Sequence, residues 1–139
     1  MGVAVSVVAE MLDAYPKDLG GIDRGALIAC IEACLECTQA CTACADADLS
    51  EDDVADLVKC VRTCLDCADV CATTGRVLSR HTAYDASLTR AVLEACVTAC
   101  LSCGDECHRH AHHHAHCRVC EGVCRRCENA CRDLLASLG

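Results

Sequence analysis

Cysteine recurs at intervals of three and four residues through most of this chain, with polar residues between the cysteines. The stretch CIEACLECTQACTAC, residues 30–44, holds five cysteines in fifteen positions. Residues three and four apart lie on one face of an α-helix, at the a and d positions of a heptad. An alternation of period two, which a strand would need, is absent. The pattern therefore predicts amphipathic helices in which Cys stands where Leu is usual.

The same cysteine pattern is repeated along the chain. The spacing C-x3-C-x2-C-x3-C occurs four times, at residues 30–41, 60–71, 96–107 and 120–131. Two further cysteines, Cys44 and Cys117, extend the first and the fourth copies. An internal repeat of this kind indicates one structural unit used several times. We predict four long helices, at about residues 24–46, 52–80, 86–110 and 113–137.

Polar residues that cap helices stand before these segments. Asp23 is expected to cap the first helix, Ser50 the second, and Asp85 or Ser87 the third. A shorter apolar helix at about residues 3–14 should stop at Tyr15 and Pro16, because a residue before proline avoids helical geometry.

Four amphipathic helices joined by short loops predict an all-α fold, an antiparallel up-down-up-down four-helix bundle. We expect one domain over residues 1–139, with the bundle at 23–138 and the extra N-terminal helix within 1–16.

Composition limits the function and the compartment. The chain has no Trp or Phe and only two Tyr, so its core must consist of Leu, Val, Ala and Cys. The net charge of −9 argues against a nucleic-acid partner. The N-terminus lacks a basic start, and Glu10 and Asp13 interrupt its apolar run, unlike a signal peptide. We expect no membrane span, because no run approaches about 20 apolar residues. A reducing cytoplasm would keep the thiols free.

The 18 cysteines call for more than a structural explanation. Cys is too small to fill a bundle core alone, so bare thiols would pack loosely. A disulfide framework is disfavoured because each Cys has several equivalent neighbours. An enzyme such as a thiol oxidoreductase would need a few unequal, exposed thiols, commonly at a helix N-terminus.

Metal binding explains the pattern better, since thiolates select Cu(I), Zn(II) or Fe–S clusters. Fe–S clusters are commonly built from loop motifs. Four thiolates around zinc leave a residual charge of about −2, which is costly in a dry core. One Cu(I) per thiolate leaves the core neutral, so the chain could hold on the order of 18 Cu(I). A general thiolate buffer for Zn(II) or other soft metals remains an alternative. The candidate ligands are Cys30, Cys34, Cys37, Cys41, Cys44, Cys60, Cys64, Cys67, Cys71, Cys96, Cys100, Cys103, Cys107, Cys117, Cys120, Cys124, Cys127 and Cys131.

The two ends of the predicted bundle differ in chemistry. One end should be plugged by apolar positions such as Leu27, Leu93 and Leu134. The other carries Asp48, Leu57 and the segment HRHAHHHAH, residues 108–116. Because imidazole and carboxylate can bind copper transiently, we predict that copper enters at this polar end. The accessory ligands predicted there are His110, His114, His113, Asp53 and Asp56. His108, His112 and His116 are assigned to a loop.

The four repeated cysteine motifs resemble those of the cytosolic copper storage proteins, which are four-helix bundles with Cys-lined cores. The resemblance covers about residues 24–135. It implies storage of many Cu(I) ions in the cytosol, a homotetramer, and no catalytic step. It also leads us to expect a copper chaperone or a cytosolic thiol as the copper donor. A related exported class carries a signal peptide, which we do not expect here.

Overall fold

The computed structural model describes residues 6–138, and these contain helices and no strand. The helices are α1 (Val7–Ala14), α2 (Arg24–Leu49), a 3-10 helix (Val54–Leu57), α3 (Val58–Leu78), α4 (Ala86–His110) and α5 (Ala115–Ser137). The predicted all-α fold is confirmed. Residues 3–5, where the N-terminal helix was expected to begin, lie outside the described part of the chain.

The four long helices form the bundle. Each consecutive pair packs together, and α2 closes the ring by packing against α5. Short connections make successive helices antiparallel. This order brings the four cysteine faces together around one axis.

Two of the predicted caps are present. The carboxylate of Asp23 accepts a hydrogen bond from the Ala26 N–H at 3.0 Å, and that of Asp85 accepts one from the Leu88 N–H at 3.1 Å. Each side chain satisfies a backbone donor that its helix leaves free.

The predicted boundaries between α2 and α3 are wrong. Ser50 does not cap α3; its N–H bonds back to the carbonyl of Ala47 at 3.0 Å, and it ends α2. The helix α2 therefore continues to Leu49, and a turn and a 3-10 helix delay α3 until Val58.

The helix α5 also starts later than predicted, at Ala115 rather than at 113. The N–H groups of His113 and His114 both bond to the carbonyl of His110, so these two residues complete the turn after α4.

The core of the bundle consists mainly of thiols. All 18 cysteines are free and at most 1% exposed. Leu27, Leu93 and Leu134 are fully buried at one end of the cysteine column, as the sequence predicted.

The N-terminal helix covers the side of the bundle near the leucine end. Leu12 is buried, and the Tyr15 ring meets the His81 ring edge-on at a centroid distance of 5.5 Å. The Tyr15 and Thr82 hydroxyls lie 2.9 Å apart, and Arg24 pairs with Asp13. These contacts tie α1 to the start of α2 and to the loop after α3.

By length and composition, the helices α2 and α4 could each cross a membrane. This result differs from the sequence analysis, which predicted no membrane span. Much of their apolar character comes from cysteines, and the bundle buries these cysteines completely. In this structure both helices therefore use their apolar faces to form the core.

Candidate metal site

The thiols form a continuous column rather than separate sites. Several groups of four cysteines have all their sulfur atoms within 4.8 Å of one another. One such group joins α2, α4 and α5 and consists of Cys34, Cys96, Cys127 and Cys131. Neighbouring groups share members, since five cysteines each belong to more than one group: Cys37, Cys41, Cys67, Cys120 and Cys124. A metal bound in one group would therefore have thiolates in common with its neighbours.

Sulfur atoms of facing helices are in contact. The distances run from 3.6 Å between Cys30 and Cys131 to 4.0 Å between Cys34 and Cys96. Spacings of three and four within each helix place the next sulfur one turn further along the same column.

The column ends in a mixed group of donors at the polar end. The Nδ1 atom of His116 lies 3.4 Å from the Cys44 sulfur and 3.7 Å from the Cys117 sulfur. The Cys117 thiol donates to the Oδ1 atom of Asp48 at 3.6 Å. Asp48 is 0% exposed, and its Oδ2 atom has no hydrogen-bond partner within residues 6–138. Two thiols, an imidazole and a carboxylate thus meet where α2 ends and α5 begins.

A chain of contacts between imidazoles and carboxylates leads outward from this group. The Oε2 atom of Glu51 lies 2.8 Å from His116 Nε2 and 2.7 Å from His114 Nδ1. The other nitrogen of His114 lies 2.9 Å from Asp53 Oδ2. The rings of His114 and His116 stack with centroids 5.5 Å apart.

A second histidine arrangement lies on α4. The Nε2 atom of His110 lies 2.8 Å from the Oε2 atom of Glu106, a side chain only 6% exposed. Lys59 and Arg109 approach the other oxygen of Glu106 at 4.0 and 3.7 Å. These cations compensate the burial of the carboxylate, as a buried charge requires.

These surroundings shift several pKa values. Burial raises the pKa of Asp48 to about 7, and burial also raises the pKa of the Cys117 thiol. The hydrogen bond between His114 and Asp53 raises the pKa of the histidine and lowers that of the carboxyl. Burial opposes protonation of His116, but its hydrogen bonds to Cys44 and Glu51 outweigh burial and raise its pKa.

The structure separates the predicted accessory ligands into two groups. It brings His110, His114 and Asp53 into hydrogen-bonded networks at the polar end. His113 and Asp56 are exposed and point to no partner among the described residues, so the structure gives them no place in the candidate site.

The assignment of His108 and His116 to a loop is wrong. His108 lies in the last turn of α4, and His116 lies in the first turn of α5 with its ring against Cys44 and Cys117. The signal was its position directly before Cys117, which places it at the end of the cysteine column. Glu51 and Glu106 were also missed as histidine partners. Their roles depend on side-chain contacts across loops and turns that periodicity does not reveal.

Similar proteins are known. A structure of the copper storage protein Ccsp from Streptomyces lividans, loaded with 10 copper equivalents, is 65% identical, with a TM-score of 0.93. The match covers 94% of this chain and 99% of that chain. A second structure, described as copper loading to a cytosolic copper storage protein from the same organism with five coppers, is 68% identical, with a TM-score of 0.84. That match covers 86% of this chain and all of the other.

A histidine-to-alanine variant of the same Streptomyces protein is 67% identical, with a TM-score of 0.85, over 86% of this chain and 100% of that chain. Curated protein sequences give no significant match. The profile of the copper storage protein family matches residues 23–136, which include all four cysteine motifs. This chain therefore belongs to the copper storage protein family.

Proposed function

We propose that this chain stores Cu(I) in its cysteine column, with a capacity on the order of 18 ions, one per thiolate. The observation that carries the proposal is the column itself: all 18 thiols are buried, and most of them belong to four-sulfur groups, several of which share members. Because neighbouring groups share sulfur atoms, bound ions would be bridged by common thiolates. This arrangement suits a monovalent soft ion held by two or three sulfurs.

Zinc fits the same column less well. A single four-sulfur group could surround Zn(II) tetrahedrally. Separate zinc sites cannot fill every group, because neighbouring groups share Cys37, Cys41, Cys67, Cys120 and Cys124. Each isolated zinc site would also bury a charge of about −2. Copper loading of the related Streptomyces protein supports Cu(I) as the cargo.

We further propose that copper enters at the polar end. The leucine end is lined by fully buried apolar side chains, including Leu27, Leu93 and Leu134, which carry no atoms that bind copper. At the opposite end, imidazole and carboxylate groups run from the surface at Asp53 to the thiols of Cys44 and Cys117. Such groups bind copper more weakly than thiolates do, so ions would pass inward from weak to strong ligands.

The column supplies storage rather than catalysis. A catalyst needs a few unequal groups that reach a substrate, whereas these thiols are many, alike and buried.

We infer one functional domain over residues 1–139, a cytosolic location like that named for the Streptomyces relative, and a homotetramer. A copper chaperone or a cytosolic thiol would serve as the donor. Light scattering after size-exclusion chromatography tests the tetramer.

Anaerobic titration with Cu(I), and separately with Zn(II), against competing chelators tests the storage function. We expect on the order of 18 Cu(I) to bind tightly and far fewer Zn(II). Binding of only a few equivalents of Cu(I) would contradict storage.

The variant H110A with H114A tests the polar end as the route of uptake. We expect slower transfer of Cu(I) from a chelator and an unchanged final capacity, since the thiols remain. A wild-type transfer rate would rule this route out.

A further inference from the structure

Glu51 connects two histidines of the polar end through a single oxygen atom. Its Oε2 atom accepts a hydrogen bond from His116 Nε2 at 2.8 Å and lies 2.7 Å from His114 Nδ1 in an ion-pair contact. Glu51 lies in the turn after α2, and its side chain is only 31% exposed.

The contact with Glu51 decides which nitrogen of His116 is available to a metal. A 2.8 Å hydrogen bond to a carboxylate requires the proton to be on Nε2. The other nitrogen, Nδ1, lies 3.7 Å from Asp48, which is too far for a hydrogen bond. When a metal binds, Nδ1 is therefore the nitrogen that offers its lone pair.

The contact with Glu51 also orients the Nδ1 lone pair toward the thiols. With Nε2 held by Glu51, Nδ1 lies 3.4 Å from the Cys44 sulfur and 3.7 Å from the Cys117 sulfur. Histidines that bind metals almost always donate their second N–H to a carboxylate, a carbonyl or water, which fixes the ring and raises its basicity. Glu51 stands where such a partner is needed.

His114 holds Glu51 from the outer side. Both of its ring nitrogens are engaged, one by Glu51 and the other by Asp53. Its side chain is only 11% exposed, and its ring stacks on that of His116. His114 thus keeps the Glu51 carboxylate against His116.

We propose that Glu51 is a positioning residue for Cu(I) uptake, which holds His116 with Nδ1 facing Cys44 and Cys117. The inference rests on the proposed uptake of copper at the polar end. Glu51 acts through His116 and does not itself touch the ion in this role.

The variant E51Q tests this role, with D52N as the matched control. The two substitutions remove the same charge from adjacent residues, but Asp52 is exposed and has no hydrogen bond to these histidines. We expect E51Q to weaken binding of the first Cu(I) equivalent by about 10-fold or more, since loss of such a partner typically costs 10–100-fold. Total capacity should stay at the wild-type value, which also shows that the variant folds. D52N should load like the wild type.

A double-mutant cycle separates positioning from a general electrostatic effect. In the H116A background, E51Q should slow Cu(I) transfer from a chelator no further. X-ray absorption with one equivalent of Cu(I) bound should detect nitrogen as well as sulfur ligands in the wild type, and fewer nitrogen ligands in E51Q.

An E51Q effect equal to that of D52N, or an effect of full size in the H116A background, would overturn the inference. If H116A slows uptake and E51Q does not, Glu51 has no positioning role but uptake at the polar end stands. If H116A and H110A with H114A all load at the wild-type rate, both proposals fail.

Discussion

Replacement of Asp48 by Asn should change how the stability of the metal-free protein depends on pH. Asp48 is completely buried. Among the residues that the structure describes, its Oδ2 atom has no hydrogen-bond partner and its Oδ1 atom accepts a single hydrogen bond, from the Cys117 thiol. Burial raises the pKa of this carboxyl from its ordinary value of 3.8 to about 7. The ionised form is thus penalised in the folded state, and the protonated form is not.

The direction of the effect follows from proton linkage. Between pH 3.8 and about 7 the folded state keeps the Asp48 proton and the unfolded state has lost it. The contribution of Asp48 to stability is therefore complete below pH 3.8 and is lost as the pH rises to about 7. The difference between these two pKa values corresponds to a free energy of unfolding of roughly 4 kcal/mol. An asparagine does not titrate and lacks this dependence.

The measurement is denaturant unfolding of the reduced, metal-free wild type and D48N from about pH 4 to pH 8. Subtraction of the two curves removes the contributions of thiols and histidines that titrate in both proteins. The stability of D48N relative to the wild type should rise by roughly 4 kcal/mol across this range, mostly below pH 7. D52N should show no such trend, because its carboxyl is exposed. A difference between D48N and wild type that stays constant with pH would refute the reasoning.

Three further predictions concern the column and its leucine end. The variant C44A should weaken binding of the first Cu(I) equivalents in a chelator competition, whereas C30A should not. Cys44 contacts His116 at the polar end, and Cys30 lies near the leucines at the other end. Equal losses of affinity in the two variants would contradict entry of copper at one end. The variant L93A should lower the free energy of unfolding by about 2–5 kcal/mol, since Leu93 is fully buried. Its rate of Cu(I) transfer should remain that of the wild type, and slower transfer would argue against a structural role alone. Cu(I) at 100 times the dissociation constant of a site should stabilise the folded protein by about 2.7 kcal/mol per site. The melting temperature should therefore rise with each addition and fall again when a chelator removes copper.

The helical arrangement could be predicted from the sequence because one periodic signal dominates it. The spacing of three and four at residues such as Cys60, Cys64 and Cys67 has only one regular structure that places them on one face. Asp23 and Asp85 also act as the caps that their positions suggested. Ser50 did not, because the choice between ending α2 and starting α3 depends on backbone hydrogen bonds that a capping residue alone does not determine.

The polar end could be predicted only in part. Periodicity placed Asp48 and His110 at this end, since both continue a cysteine face. It did not place His116, because the register of α5 depends on how the turn at His113 and His114 closes. Glu51 was not predicted as a partner of His116, because the contact joins residues 65 positions apart and depends on two irregular connections.

The thiols of the core pack more closely than the small size of cysteine led us to expect. Cysteine was expected to leave a loose core, yet facing sulfurs such as those of Cys30 and Cys131 approach to 3.6 Å. The helices come near enough for these small side chains to meet across the core. An arriving Cu(I) ion replaces a weak thiol contact by bonds to thiolates and releases the protons of those thiols. Since each sulfur already touches several others, bound ions can be bridged with small adjustments of side chains. One helical frame thus both packs the sulfurs against one another and offers them as shared ligands, as storage of many ions requires.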